Sequence, residues 1–581
     1  MCNDPKDSSR RRFLGGGLLL GATHAVPYVA LCEAIFNSFV RQAYADVSGA
    51  TTIPRNYINV AAMGAPARYS FDHWVRVNSS DAALVPNPMV ATRLVASGAN
   101  YCDTAYETFY VQNSNTAGIE VPSFFKSSVQ TSSANQPLTD LLANMLVIRG
   151  YGTGIDGHPG NHTAQLMPLN GAPSISGTAA DNASAPFAAV QYPNRGGYTT
   201  FSSANGKGLA VVGDPALQSL MQAFGPNSPN AQKASALKAA HANTVTYYQQ
   251  KLNSLAQQGD PTSQSLAVNV DNARKLMKRG ISDITAYWTP ALNRYQTIIN
   301  NALQANSGIY GINDKPIVNS GGSNSTGLPT DSLFHVYNNG ASPSLPTATG
   351  FDVRTSLANA TMSNFASGLA LAEYLISQGL GSVLEISLPQ IDGVVAQIKM
   401  GSSTATSNTS IVHDMHELGA VMTVTYTNAL YRAFSAGILE LSNQLKKTSI
   451  AGGTNAWNET IVHLTSDFGR IPRSDGTGSD HGFNQMTTSV YSGCIAQGPF
   501  VVGNVTNGGS IGGYDGSQGL GAAIDGYSQL GRPTPLMAAS TITAMMRVPK
   551  NPYQNLAAPL IQLNNDQVVY TSIGQGKTVT G

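Results

Sequence analysis

The stretch Ile461–Gln485, IVHLTSDFGRIPRSDGTGSDHGFNQ, decides how the chain is read. It opens on a β-branched, apolar run, Ile461-Val462-His463-Leu464-Thr465, bounded by Asn458 and Gly469. A short run of that kind predicts a buried strand of a parallel sheet. Asp467 then falls at the carboxyl end of the strand, where open α/β sheets bind their ligands. A loop rich in Gly, Ser and Asp follows and ends in Asp480-His481-Gly482. Two carboxylates and an imidazole are thereby brought to one sheet edge. Oxygen and nitrogen donors held in this way suit a hard or borderline divalent cation. The same residues also fit a turn-capping Asp and a His satisfied by backbone, because Asp and Gly are ordinary loop residues.

The rest of the chain bounds that reading. Its 581 residues can bury a large core, but only 11% are charged, against roughly 25% in typical soluble proteins. Ser, Thr, Asn and Gly cover the surface instead. The formal net charge is +1, and residues 1–45 alone carry five basic and three acidic side chains, so the remainder is near −1. A nearly neutral body without a basic run argues against nucleic acid as a partner.

The amino terminus reads as an address. Ser9-Arg10-Arg11-Arg12-Phe13-Leu14 matches the twin-arginine pattern, Leu18-Leu19-Leu20 follow, and Ala43-Tyr44-Ala45 offers a cleavage site before Asp46. Export by the twin-arginine machinery to the periplasm or medium is expected, with cleavage after Ala45. Pro27, Glu33 and Asn37 interrupt the apolar run, and no later stretch is long enough to span a bilayer, so the mature chain is expected to hold no stable membrane span. Cleavage leaves Cys102 and Cys494, which fit either one disulfide or two separate buried thiols.

Along the chain, residues 56–63 predict a first strand, and Asp72 and His73 follow it in a loop. Residues 80–137 are polar and irregular. Asp140–Ile148 reads as a helix end running into a second strand. After it, His158 and His162 lie close together beyond a Gly-rich segment at an expected sheet edge. Residues 170–230 read as long polar loops, and 231–306 as a helical insertion with apolar residues on one face. Leu357–Gln378 predicts a helix closed by Gly379, Ser382–Leu388 a strand, Thr423–Lys446 a helix and Leu536–Met546 another. A Ser/Thr-rich segment, 401–410, precedes Asp414-Met415-His416.

Several collinear segments resemble a family of exported bacterial proteins, domain of unknown function 1501, within the alkaline phosphatase/sulfatase superfamily. Ala370–Leu388 is similar to the family's helix, Gly and strand. Asp414-Met415-His416 resembles its Asp-Thr-His motif, and Asp467–Arg473 its Glu-Phe-Gly-Arg-Thr-Pro segment. Asp480-His481 matches its Asp-His, and Arg532-Pro533-Thr534-Pro535 resembles its Arg-Pro-Val-Thr-Pro. The resemblance covers about the last 200 residues. It implies a single α/β domain over 46–581, three-layer α/β/α with a mostly parallel central sheet. It also implies a metal site at the sheet edge. Zinc, manganese or calcium is the expected cation.

Asp414, His416 and His481 stand where the superfamily holds one metal. Asp467 stands where an Asp-His pair would help to hold a second, with Phe468 in place of the His. The early Asp expected directly after the first strand is absent, and Asp72 is the candidate to replace it. Asp480 is a further candidate ligand. Ser70, Thr153 and Thr163 are candidate nucleophiles by position only. On a phosphate or sulfate ester, Arg470 or Arg473 would stabilise developing charge, the alternative for both being ion pairs with Asp475 or Asp480, and His158 or His162 would serve as a ligand or general acid. The alternative is a non-catalytic exported surface or binding protein that retains the fold and a degraded or structural metal site.

Overall fold

The computed structural model describes residues 54–77, 88–212, 287–304, 315–335, 357–506 and 533–569. Positions 114–115, 184, 186, 320, 401–402, 412–413, 451–453 and 483–484 are excepted, and 250, 254, 257 and 520–522 are described in addition. The expected signal segment, and the insertion expected over 231–306 apart from those isolated positions and 287–304, lie outside the described residues. Residues 287–303 are helical.

An eight-stranded sheet organises the fold. Its strands are β1 (Asn56–Ala62), β2 (Met145–Tyr151), β3 (Ala189–Tyr192), β4 (Leu209–Val211), β5 (Val383–Leu388), β6 (Thr460–Ser466), β7 (Met486–Tyr491) and β8 (Phe500–Val502). Their order is β4-β3-β5-β1-β6-β7-β2-β8. Every neighbouring pair is parallel except the two made by β7, which runs opposite to the rest. The central strands are apolar on both faces, as a parallel sheet covered on each side requires. On β1, Tyr57 joins one core while Ile58 and Val60 join the other, and on β6 Ile461 and Leu464 divide in the same way.

Helices α1 (His158–Leu166), α2 (Ile175–Asp181), α3 (Ser363–Ser377), α4 (Ala420–Lys447) and α5 (Pro535–Met545) cover those faces. Phe365 and Leu369 of α3 and Leu430 and Phe434 of α4 pack with Ile58, Val60 and Leu464. Leu166 of α1, Ile175 of α2 and Ile542 of α5 pack with Tyr57 and Ile461. The architecture is thus mixed α/β with a large, mostly parallel sheet and helices on each face, compatible with three layers. No helix among the described residues is long and apolar enough to cross a membrane.

Cys102 and Cys494 are separate buried thiols, so the disulfide reading falls. They belong to different cores on opposite faces of the sheet.

Three sequence readings need correction. Residues 80–137 hold hairpins, among them Arg93–Ser97 with Asn100–Ala105 and Thr108–Asn113 with Thr116–Pro122. The Ser/Thr-rich segment forms one arm of a hairpin, Ile391–Met400 with Ser403–Ile411. Within 170–230, read as loops, lie α2, β3 and β4.

Candidate metal centre

The site lies beyond the carboxyl ends of β1 and β6, where two neighbouring parallel strands deliver Gly64 and Asp467. Gly64 turns the chain with φ +92°, and Ala65 follows at +58°, a conformation uncommon for a residue with a Cβ. The turn aims backbone at the site. Gly64 N–H donates to Asp467 Oδ2 at 2.6 Å, and the carbonyls of Gly64 and Ala65 accept from the Arg470 guanidinium at 2.6 and 2.7 Å. Helix α1 clamps the other strand end, because Gln165 donates to the Ser466 carbonyl at 2.7 Å. Pro159 in its first turn suits a helix start and sets His158 at the end facing Asp467. His158 and His162 are therefore on a helix rather than in a loop.

The stretch after Asp467 is a hairpin rather than an open loop: Gly469–Pro472 pairs with Ser479–Gly482. Successive side chains on a strand face opposite ways. Asp480 accordingly pairs with Arg473 at 3.0 Å while His481 enters the cluster. Gly478 lies so close to the 414–417 segment that a Cβ there would stand 1.8 Å from the His416 carbonyl oxygen. Ser479 N–H also donates to that carbonyl, at 3.3 Å.

Three imidazoles and two carboxylates converge. His158 Nδ1–H donates to Asp467 Oδ2 at 2.9 Å, and its Nε2 faces Asp414 Oδ2 at 3.6 Å. Asp414 Oδ1 accepts from Arg470 at 2.8 Å and lies 3.4 Å from His416 Nε2. His481 Nδ1–H donates to Asp156 at 2.6 Å, and His416 Nδ1 faces Asp480 at 3.5 Å. The Nε2 atoms of His416 and His481 then meet at 2.8 Å. Potential ligand atoms of His158, Asp414 and His481 all lie within 4.8 Å of one another. Phe468 forms the apolar wall, stacked on His481 at 4.1 Å and edge-on to His158 at 4.7 Å.

The electrostatics suit a cation. Among the described residues, Asp156, Asp414, Glu417, Asp467 and Asp480 face two guanidiniums, Arg470 and Arg473. Burial opposes the charge of His158, but Asp414 and Asp467 outweigh it and hold the ring up to about 9. Burial, joined by Arg470, His416 and His158, lowers the proton affinity of His481 against the pull of Asp156. Burial also raises Asp467, with His158 and the Gly64 N–H acting against it. For Asp414, His158 and Arg470 overcome burial and hold the carboxyl well below its usual range. Asp467 Oδ1 is buried without a hydrogen-bond partner. An orphaned carboxylate oxygen beside facing imidazoles is a donor set that fits a divalent metal.

Comparison with protein-family models, with curated proteins and with solved structures finds no match to this chain.

Of the residues singled out by sequence, His158, Asp414, His416, Asp467 and His481 are brought together. Asp480 stands behind them, on Arg473 and His416. Arg470 is buried and held by two carbonyls and Asp414, and its Nη1 is buried without a hydrogen-bond partner. His162 is fully buried and lies 3.5 Å from Thr465 Oγ1; burial, with Arg195 and His463, pushes it down to about 3. Asp72 does not reach the cluster, because its carboxylate is bound by Arg68, at 2.8 Å through Nε, and by Ser489. The hydroxyls proposed by position are engaged elsewhere: Ser70 with Thr427, Thr153 with Ile155 N–H and Thr163 with Thr200. Sequence reasoning missed Asp156 and the Gly64 amide. Both follow strand ends of the sheet, which is the signal that marks them.

Proposed function

We propose that this is an exported protein that binds a divalent cation at the sheet edge and hydrolyses phosphate or sulfate esters there. We place it within the three-layer α/β/α fold of the alkaline phosphatase/sulfatase kind. The observation that carries the reading is the pair of Nε2 atoms, His416 and His481, facing each other at 2.8 Å with a carboxylate on the far side of each ring. Donation from Nδ1 fixes the tautomer of His481 and leaves its Nε2 lone pair directed into the site. Carboxylate–imidazole pairs of this type orient metal ligands and raise their basicity. His416, His481 and Asp414 would hold the cation, with His158 and Asp467 beside them. His158, edge-on to Phe468, would take the part of the His absent at position 468.

A bound cation would polarise the ester and bring the pKa of a bound water toward neutrality. The chain's own residues set the frame. Arg470 fixes Asp414, the Gly64 amide fixes Asp467, and Phe468 keeps one wall dry. The placement of Ser70, Thr153 and Thr163 favours water over a side-chain hydroxyl as the nucleophile. It also supports a second reading, in which the site binds metal without turnover.

Hydrolysis of p-nitrophenyl phosphate and p-nitrophenyl sulfate by zinc- and manganese-loaded protein tests this. Turnover that disappears in Asp414→Ala supports the hydrolase. Stoichiometric metal without turnover of either ester favours the second reading.

A further inference from the structure

Helix α1 turns one stripe of polar side chains toward the carboxylates of the site. His158, Asn161 and Gln165 follow one another at steps of three and four residues, the spacing of a single helix face. His158 donates to the Asp467 carboxylate at 2.9 Å. Asn161, fully buried, donates to the Ile155 carbonyl at 2.9 Å and so holds the peptide that leads into Asp156. Gln165, also buried, donates to the Ser466 carbonyl at 2.7 Å and reaches the Asp467 carbonyl at 3.3 Å. Its Oε1 accepts from the Tyr151 hydroxyl at 3.1 Å.

The Gln165 amide has one orientation. The two backbone carbonyls can only accept, so Nε2 faces them and Oε1 is left for Tyr151. One side chain thereby joins three elements. Ser466 ends β6 immediately before Asp467, Tyr151 ends β2 on the way to Asp156, and α1 carries His158. Packing alone does not call for a glutamine here. Leu166, its neighbour, supplies the contact of α1 with the core, and a buried amide is costly unless it is bonded.

We infer that Gln165 is a positioning residue of the cation site. It fixes the backbone of Asp467 against the helix that bears His158, and it touches no ligand atom itself. The inference rests on the proposed function, since it presumes a cation held by His416, His481 and Asp414 with His158 and Asp467 beside them. Residues that orient metal ligands set both the affinity of a site and its geometry, so both should depend on Gln165.

The test uses the full chain, with zinc and cobalt(II) as probes. Gln165→Met keeps the length and bulk of the side chain and loses its hydrogen bonds. It should bind about one equivalent of metal, as the wild type should. Its zinc affinity in a chelator competition should be about tenfold lower, the lower end of the range for residues behind metal ligands. Its visible cobalt(II) spectrum should differ from that of the wild type, because the donors around the ion have moved. A lower thermal midpoint with zinc affinity and cobalt spectrum unchanged would mark a purely structural residue and overturns the inference. Should Gln165→Met not fold, Tyr151→Phe decides, since it removes only the hydroxyl that orients the amide. A zinc affinity lower by about threefold with an altered cobalt spectrum supports the inference, and wild-type values of both overturn it. A wild type that binds no zinc overturns the metal-site reading itself, and this inference with it.

Discussion

Three buried histidines should make the fold acid-labile, and His463 allows the effect to be isolated. His463 lies in the middle of β6 between Tyr57 OH, 2.8 Å from Nδ1, and Thr488 Oγ1, 2.7 Å from Nε2. The Thr488 hydroxyl already donates to the Leu464 carbonyl at 2.8 Å, so it accepts from the ring. The ring therefore carries its proton on Nε2 and accepts from Tyr57 on Nδ1, with no room for a second proton. Burial, reinforced by Arg68, pushes its pKa down to about 3. The sign follows from linkage. A depressed folded-state value means that stability is complete above the unfolded-state value near 6.5 and is lost as pH falls from there toward 3. Between pH 8 and pH 5 one such group costs about 2 kcal/mol, at 1.36 kcal/mol per unit. His73 and His162 are held down to about 3 in the same way, so the three together cost on the order of 6 kcal/mol. The buried Glu385, raised by desolvation, acts in the opposite direction. A double difference removes it. In His463→Gln the amide can donate to Thr488 and accept from Tyr57, and Gln does not titrate. Urea unfolding at both pH values should show a pH-dependent loss about 2 kcal/mol smaller in the variant than in the wild type. An identical loss in both would refute the assignment of a neutral, locked ring.

Other outcomes follow from particular contacts. Asp156→Asn removes the charge behind His481 and should weaken zinc binding about 10- to 100-fold in a chelator competition, with the fold unchanged by circular dichroism. Gly478→Ala places a Cβ where the His416 carbonyl stands; the segment must shift, and both the thermal midpoint and zinc affinity should fall. Asp72→Ala leaves the buried Arg68 uncompensated and should cost about 3–5 kcal/mol in urea unfolding. Zinc stoichiometry should stay as in the wild type, because Asp72 lies on Arg68 and not on the imidazoles.

The sheet was legible where burial is two-sided. Ile461–Thr465 and residues 56–63 read as strands because their apolar positions, Met63 apart, are buried, and the observed limits, Thr460–Ser466 and Asn56–Ala62, differ by a residue. The long helix α4 was legible for the same reason: nearly every residue along it is covered. What escaped was polar. Ser403–Ile411 pairs as a strand through backbone, but its Ser, Thr and Asn side chains carry no apolar alternation. At the site, the types of donor were readable in Asp414, His416, Asp467 and His481, because motif and strand end coincide there. Their partners were not. His158 meets Asp467 across 309 positions, and Asp156 meets His481 across 325. Spacing along a chain holds no trace of contacts made by folding a sheet back on itself. Asp72 illustrates the converse: it lies close in sequence to the first strand end, yet the nearer guanidinium of Arg68, four residues away, captures it.

Two imidazoles, each backed by a carboxylate, are proposed to hold a divalent cation with Asp414. The most direct measurement is the metal content of the purified full chain beside an Asp414→Ala/His481→Ala variant, after equal exposure to zinc, manganese and calcium. About one equivalent in the wild type and none in a variant of unchanged circular dichroism is the predicted result. No metal in the wild type, or the same content in both proteins, would contradict it.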